Sequence, residues 1–162
     1  MKNFPVNVNG KEYWVSRSIA TVTYVYGIVN GVDCILANKR GPGLPNKVGL
    51  WNCVSGYLDY DETLEEAAVR EVFEETGVRI DKSFLIMDNI DSSIDREHQN
   101  VLVRYYTYIG NLAERVVLTN ENAEPNEVDE VKWIPITEID NYQWVSETHR
   151  NKIIEYHIRR LV

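Results

Sequence analysis

The sequence has few cysteines, no long hydrophobic segment and no excess of positive charge. Only Cys34 and Cys53 occur in 162 residues and they lack metal-binding spacing, so we expect two buried free thiols and no disulfide framework. The first fifteen residues, MKNFPVNVNGKEYWV, contain no apolar signal core, and no run is long enough to cross a membrane. We therefore expect a cytoplasmic protein with no membrane partner.

The formal net charge of −8 limits the classes of molecule that the chain can bind. DNA and long RNA bind to basic surfaces, so the charge argues against DNA and against an extended RNA track. An acidic protein that handles phosphates needs a cation between itself and its substrate. The length suits one domain, residues 1–162, with a substantial core.

Hairpin and strand signals fill most of the chain outside two helices. Asn-Gly pairs at 9–10 and 30–31 lie between strand-like runs and predict tight hairpins, the first making residues 1–17 an N-terminal β-hairpin extension. A capping box, Thr63 with Glu66, and a terminal Gly77 predict a helix over residues 64–76. A C-terminal amphipathic helix is predicted from about Ser146, with its apolar face formed by Ile154, Ile158 and Leu161. The fold class is α/β, a mixed β-sheet between helices.

The segment GYLDYDETLEEAAVREVFEETGV, residues 56–78, holds eight carboxylates and one basic residue, Arg70. On a helix, Glu71, Glu74 and Glu75 are neighbours that repel one another, and they lie near the C-terminal end, where the helix dipole disfavours anions. A solvated acidic face would gain nothing from this placement. A divalent cation such as Mg²⁺ would reverse the sign of the interaction, and Arg70 can orient the carboxylates through its forked hydrogen bonds.

The same segment resembles the complete signature of the Nudix hydrolase family. The matching positions are Gly56, Glu62, Arg70, Glu71, Val72, Glu74, Glu75, Gly77 and Val78. The resemblance implies an α/β/α sandwich around a mixed sheet, and hydrolysis of a nucleoside diphosphate linked to another group. Where many members have Pro-Gly-Gly ending at the first box glycine, this chain has Val54 and Ser55 before Gly56, so the entry to the loop can differ.

The resemblance also implies roles for individual residues. Glu74 and Glu75 would be the main ligands of Mg²⁺, or Mn²⁺, with Glu71 as a further ligand or base and the carbonyl of Gly56 completing part of the coordination shell. Arg70 would orient the carboxylates, and Glu62 would brace the loop. Bound cations neutralise the diphosphate and lower the pKa of a water molecule, a carboxylate accepts the proton, and no covalent intermediate is needed.

Two assignments remain more open. The resemblance places an extra catalytic carboxylate in a loop after the central strands, where Glu127 is favoured over Glu124 and Glu130, with Glu97 a further option. Substrate contacts are assigned to two pairs of residues, although surface charge and core packing are the alternatives. These are Lys39 and Arg40, for a distal phosphate, and Tyr24 and Tyr26, for stacking on a base.

Several functions therefore compete. The favoured one is Mg²⁺-dependent cleavage of ADP-ribose or another nucleotide sugar, a small-molecule substrate. Within the same class are hydrolysis of (deoxy)nucleoside triphosphates and of dinucleoside polyphosphates. A different class is a non-catalytic domain that senses a nucleotide sugar, and the complete signature argues against it. A homodimer formed through the N-terminal hairpin is also expected.

Overall fold

The structure is a computed structural model that describes residues 2–95 and 99–162. Nine strands and two α-helices follow one another in the described chain. They are β1 Phe4–Val8, β2 Lys11–Val15, β3 Ile19–Val29, β4 Val32–Arg40, β5 Trp51–Asn52, β6 Val54–Tyr57, α1 Leu64–Thr76, β7 Ile86–Asp91, β8 Val101–Tyr108, β9 Val128–Pro135 and α2 Glu147–Leu161. Short 3₁₀ turns cover Lys82–Phe84, Gly110–Arg115 and Ile136–Asn141.

The seven strands from β3 onward form one mixed sheet. Its main order is β5-β4-β3-β8-β7, with β6 also pairing with β3 and β9 with β4. The β3–β8 pair is parallel, and the other pairs are antiparallel. Side chains alternate between the two faces of the sheet. On one face Val25, Leu36 and Val54 pack with Val72 of α1, and on the other Tyr24 and Tyr26 pack with Ile153 and Tyr156 of α2. The mixed α/β class is confirmed, with the sheet between two helices.

The local signals for α1 are confirmed. Thr63 accepts a hydrogen bond from the Glu66 backbone while the Glu66 side chain accepts one from the Thr63 backbone, so the capping box is complete. Gly77 closes the helix with φ of 74°, a left-handed conformation that favours glycine. Both Asn-Gly turns also have positive φ at each central residue. The cysteines are free and buried. In the part of the chain that the structure describes, no helix combines the length and apolarity needed to cross a bilayer.

The predicted apolar face of α2 is right for Ile154, which packs against the core, and wrong for the other two residues. Ile158 and Leu161 are more than half exposed, whereas Ile153 and Tyr156 are fully buried. The reason is an ionic anchor: the buried carboxylate of Asp88 accepts hydrogen bonds from Tyr156 at 2.7 Å, from Lys152 at 3.2 Å and from Arg159. This contact sets the rotation of α2 against strand β7.

The N-terminal hairpin forms a separate two-stranded ribbon. Strands β1 and β2 pair antiparallel in register from Phe4 opposite Val15 to Val8 opposite Lys11. Nearly every side chain in the ribbon is exposed, including Trp14, and Tyr13 meets Tyr60 edge-on at 5.0 Å. Two-stranded hairpins are marginally stable alone. Association of two copies through this ribbon stays a prediction.

The anchor of α2 gives a stability prediction. We expect Asp88→Asn to lower the free energy of unfolding by about 2–3 kcal/mol, because the buried carboxylate accepts from three side chains, and breaking a buried ion pair costs up to about 5 kcal/mol. Urea denaturation measures the change. Asp140→Asn is the matched control, since its pair with Arg150 is exposed and worth at most about 1 kcal/mol. Equal losses for the two variants would contradict the anchoring role.

Candidate active site

The carboxylates of α1 line one end of an open cavity of about 810 Å³. Gly56 of β6, the three α1 residues Arg70, Glu71 and Glu74, and Glu127 just before β9 lie in its wall. Helical spacing brings the α1 side chains to one side, and the β6–β3 pairing brings Gly56 alongside them. The structure therefore gathers five of the residues predicted for the site around one end of the cavity.

Arg70 holds the acidic side chains together. Its Nε and Nη2 donate to the two carboxylate oxygens of Glu62 at 3.0 and 2.8 Å. Its Nη1 donates to Glu71 at 2.8 Å and to Glu74 at 3.0 Å, and Nη2 also reaches the carbonyl of Tyr57 at 3.0 Å. The hydrogen bonds that Arg70 donates to Glu62 raise the pKa of Arg70 and keep it charged. One guanidinium thus fixes three carboxylates and ties α1 to the loop that follows β6.

Gly56 is required by the approach of Glu71. A Cβ atom on Gly56 would lie 2.0 Å from the Glu71 carboxyl carbon and from one of its oxygens. The carboxylate therefore lies directly against the backbone of β6, and any side chain at position 56 would displace it. This contact brings a carboxylate oxygen next to the backbone of Gly56.

The site has too little positive charge for its carboxylates. Burial raises the pKa of Glu71 from its ordinary value of 4.5 to about 7, against the attraction of Arg70. Burial and the neighbouring charges of Glu71 and Glu127 raise the pKa of Glu75 well above that of an ordinary glutamate. Burial also raises the pKa of Glu127. Buried carboxylates placed side by side ionise more easily when a cation binds between them, so the site suits a cation.

Glu75 differs from its neighbours in position. Its side chain is almost fully buried, accepts a hydrogen bond from Asn38 and does not line the cavity. Glu71 and Glu74 turn toward Arg70. Among the described residues, no three Asp, Glu, His or Cys side chains are already close enough together to hold an ion. The donor set of carboxylates and a backbone carbonyl nevertheless fits a hard cation such as Mg²⁺ or Mn²⁺, with Glu71, Glu74, Glu75 and Gly56 as the residues that could hold it.

The loop carrying Glu127 is fixed to the glycine-rich loop after β4. The N–H of Gly41 donates to the carbonyl of Glu127 at 2.7 Å, and the N–H of Gly43 donates to that of Asn126 at 2.8 Å. A Cβ on Gly41 would lie 2.2 Å from the Asn126 carbonyl oxygen, so only glycine permits this approach. The result is a half-buried Glu127 in the cavity wall. Glu124 lines the cavity too, whereas Glu97 lies outside the described residues.

Of the four residues predicted to bind substrate, only Arg40 lines the cavity. Arg40 lines the cavity, where its guanidinium donates to the carbonyl of Asn46 at 3.2 Å, and burial lowers its pKa. Lys39, its neighbour on the strand, points the other way and pairs with Asp129 at 3.0 Å. Tyr24 and Tyr26 are buried beneath α2, and the Tyr26 hydroxyl donates to the Ile153 carbonyl. We therefore correct the assignment of Lys39, Tyr24 and Tyr26 to substrate binding, because none of the three reaches the cavity.

The far end of the cavity contains residues that the sequence pattern did not single out. Its floor includes Arg104 of β8 and Asp91 of β7, and its wall includes Ser146 and His149 at the start of α2. The Ser146 hydroxyl lies 2.9 Å from His149 Nδ1. The sequence did contain one signal for Arg104, because it is the only charged residue in the apolar and aromatic run VLVRYYTY. A charged residue in such a run indicates either a strand at the surface or a buried functional group.

Known proteins resemble this chain in both sequence and fold. A family model described as the NUDIX domain matches residues 20–156. The Caenorhabditis elegans protein "Nudix hydrolase 3" is 35% identical over 112 residues, covering 68% of this chain and 45% of that protein. A "NAD-capped RNA hydrolase" of Schizosaccharomyces pombe is 48% identical over 42 residues, 26% of this chain and 11% of that protein. The matched segments thus span less than half the length of these curated relatives.

A solved structure supports the fold over nearly the whole chain. The NUDIX domain of Shewanella oneidensis NrtR, complexed with ADP ribose, superposes with a TM-score of 0.72 and covers 91% of this chain and 90% of that one. Its sequence is 20% identical, so the similarity is evidence of a shared fold.

The raised pKa of Glu71 predicts how stability depends on pH. Between pH 4.5 and about 7 the folded protein keeps a proton that the unfolded chain has lost, so the free energy of unfolding of the metal-free protein falls as pH rises through this interval. The contribution of this group reaches about 3 kcal/mol. We expect Glu71→Gln to remove that part of the pH dependence in urea titrations at about pH 5 and about pH 8. An unchanged slope in the variant would contradict the burial of this carboxyl group, and Glu65→Gln, on the same helix, is the control.

Proposed function

Since the chain belongs to the Nudix family, we propose that it hydrolyses the diphosphate bond of a nucleoside diphosphate linked to another group, with Mg²⁺ or Mn²⁺ as cofactor. The observation that carries this proposal is the set of carboxylates held by Arg70 at one end of a cavity. Pairing with one arginine leaves those carboxylates short of positive charge, and a diphosphate with its cations supplies the missing partner.

The metal would be held by Glu71 and Glu74 together with the Gly56 carbonyl, and by Glu75 once its buried carboxylate releases Asn38 and reaches the cavity. When bound, it neutralises the diphosphate oxygens, polarises phosphorus and lowers the pKa of a water molecule. Arg70 keeps Glu71 and Glu74 at fixed positions, and Glu62 keeps Arg70 in place through two hydrogen bonds. Arg40, which lines the same cavity within electrostatic reach of Glu75 and Glu127, binds an oxygen of the distal phosphoryl group.

Glu127 is proposed as the general base. It is half-buried in the cavity wall, its backbone is fixed by Gly41, and its raised pKa makes it a stronger proton acceptor than an exposed glutamate. It accepts a proton from the attacking water, and water then displaces one phosphoryl group from the other.

ADP-ribose or another nucleotide sugar is the substrate class we favour. A cavity of about 810 Å³ is large enough for a nucleotide with a second ring system. The NrtR domain solved with ADP ribose shares the fold, and this supports the same class of ligand. Nucleoside triphosphates and dinucleoside polyphosphates are the alternatives within the enzyme class. The net charge of −8 favours small substrates, and the exclusion of DNA and long RNA stays a prediction.

A non-catalytic sensor of nucleotide sugars is the second candidate, favoured by the ligand-bound NrtR neighbour. Both functions need the cavity, but only hydrolysis needs a fixed base and a complete set of carboxylates. The free thiols of Cys34 and Cys53 support a reducing, cytoplasmic location for either function.

Loss of Glu74 tests the proposed reaction. We expect Glu74→Gln to lower kcat with Mg²⁺ by more than about 100-fold. Loss of a residue that only hydrogen-bonds to a metal ligand costs roughly 10- to 100-fold, and this variant removes a proposed ligand itself. A panel of nucleotide sugars, dinucleoside polyphosphates and triphosphates, with product analysis, measures the change. Glu65→Gln is the matched control on the same helix, since Glu65 bonds to Tyr105 away from the cavity. Full turnover by Glu74→Gln would overturn the mechanism, and tight binding without turnover by the unaltered protein would favour the sensor.

The pH profile tests Glu127. Its raised pKa places the acidic limb of the kcat/KM profile, which reports groups of the free enzyme, above pH 4.5, since the base must lose its proton to act. We expect Glu127→Gln to lower kcat by about 10²- to 10⁴-fold and to remove that limb. Glu124→Gln, in the same loop, should keep the limb. If Glu124→Gln removes the limb and Glu127→Gln keeps it, the assignment of the base is wrong.

A further inference from the structure

The far end of the cavity has a flat apolar floor made by two paired strands. In the parallel register of β3 and β8, Ala20 lies opposite Leu102, and Val22 lies opposite Arg104. Paired residues in a sheet point to the same face, and all four line the cavity. The three aliphatic side chains form a surface suited to the face of a planar ring.

Arg104 closes this floor on one side. On β7, Asn89 lies opposite Arg104 and Asp91 lies opposite Leu102. Nη1 of Arg104 is 3.3 Å from the Asn89 side-chain oxygen, and Nη2 is 3.3 Å from an Asp91 carboxylate oxygen. These two contacts and the burial of the residue, which is only 4% exposed, hold the guanidinium in place.

The two contacts leave Arg104 incompletely satisfied. Both distances are long for hydrogen bonds, and the buried Nε has no hydrogen-bond partner among the described residues, although the Tyr24 hydroxyl also interacts with the guanidinium. A buried charged group is stabilised when further acceptors reach it. Because Arg104 lines the cavity, an acceptor on a bound ligand can take this place.

The register also gives the distance from the diphosphate end. Ser55, next to Gly56, and Arg104 both pair with Val22, one on each side of it. Neighbouring strands are about 4.8 Å apart, so Arg104 lies about 10 Å from the β6 backbone. The floor lies on the α2 face of the sheet, whereas α1 packs on the other face. A nucleoside with its phosphates at α1 would therefore pass along Ser55 and Gly56, which line the same cavity, to place its base on the floor.

We propose that Arg104 is the specificity-determining residue for the nucleobase of the substrate, donating hydrogen bonds to an acceptor on the edge of a base that lies on Ala20, Val22 and Leu102. This inference rests on the proposed function for the identity of the ligand. Asp91 and Asn89 act as positioning residues, because they hold the guanidinium from the side away from β3.

A second phosphate is a poorer fit for this end of the cavity. The carboxylate of Asp91 beside Arg104 cancels its charge and repels an anion. The apolar floor offers a phosphate no donor, and the donors at this end, Ser146 and His149, lie in the wall, where they bond to each other. A neutral ring with a carbonyl or ring nitrogen at its edge satisfies both the floor and the guanidinium.

Binding of nucleoside 5′-monophosphates tests this role without requiring hydrolysis. AMP, GMP, CMP and UMP are titrated by calorimetry in the presence of Mg²⁺. We expect one base to bind at least about tenfold more tightly than the weakest, the range that hydrogen bonds to a charged group supply. Arg104→Met should weaken the preferred nucleotide by about 10- to 100-fold and reduce the differences among the four to less than about threefold.

The controls separate this role from a purely structural one. Arg150→Met makes the same substitution on an arginine outside the cavity and should leave all four affinities unchanged. If thermal unfolding shows that Arg104→Met does not fold, Arg104→Lys keeps the charge but loses the planar fork, and it should also remove the base preference. Equal weakening of all four nucleotides, or no base preference in the unaltered protein, would overturn the inference. Intact base preference without turnover would instead refute the proposed hydrolysis alone.

Discussion

The fork of hydrogen bonds from Arg70 is the interaction on which the rest of the site depends. One guanidinium binds Glu62, Glu71 and Glu74 and the carbonyl of Tyr57, so it links helix α1 to the loop that enters it. Without it, these like charges would separate into solvent. With it, they stay close together at the cavity, in excess over the local positive charge. The hydrogen bonds from Arg70 therefore fix the positions of the carboxylates and also keep them close enough together to bind a cation.

The sheet connects the carboxylate cluster to the far end of the cavity. Strand β3 pairs with β6 on one side and with the parallel β8 on the other, so the carboxylate end and the Arg104 end share one strand. Strand spacing sets the distance between the backbone of β6, which Glu71 contacts at Gly56, and the backbone of β8, which carries Arg104. The Glu127 loop is fixed just as firmly, by backbone hydrogen bonds to Gly41 and Gly43. A rigid floor and a fixed base suit hydrolysis of a ligand that spans the cavity.

The sequence correctly predicted those parts of the fold that depend on residues close together in the chain. The bounds of α1 follow from Thr63, Glu66 and Gly77, which act within a few residues of one another, and the Asn-Gly turns behave in the same way. The metal and base candidates came from the family pattern, and the structure gathers most of them. The rotation of α2 was missed because it depends on a contact between Asp88 and Tyr156, 68 residues apart. Tyr24 and Tyr26 were assigned to base stacking, and only the position of α2 shows that they belong to the core. Arg104 was missed because its contacts with Asn89 and Asp91 come from β7, which the sequence does not show to be its neighbour.

Calorimetric titration of Mn²⁺ into the protein, repeated in buffers of different ionisation enthalpy, tests the charge imbalance most directly. Glu71 and Glu75 have raised pKa values, so near neutral pH they retain protons that a bound cation must displace. We predict binding accompanied by proton release that decreases as pH rises above about 7, with less release in Glu71→Gln. Absence of Mn²⁺ binding even with a nucleotide present, or binding without any proton release, would contradict the account.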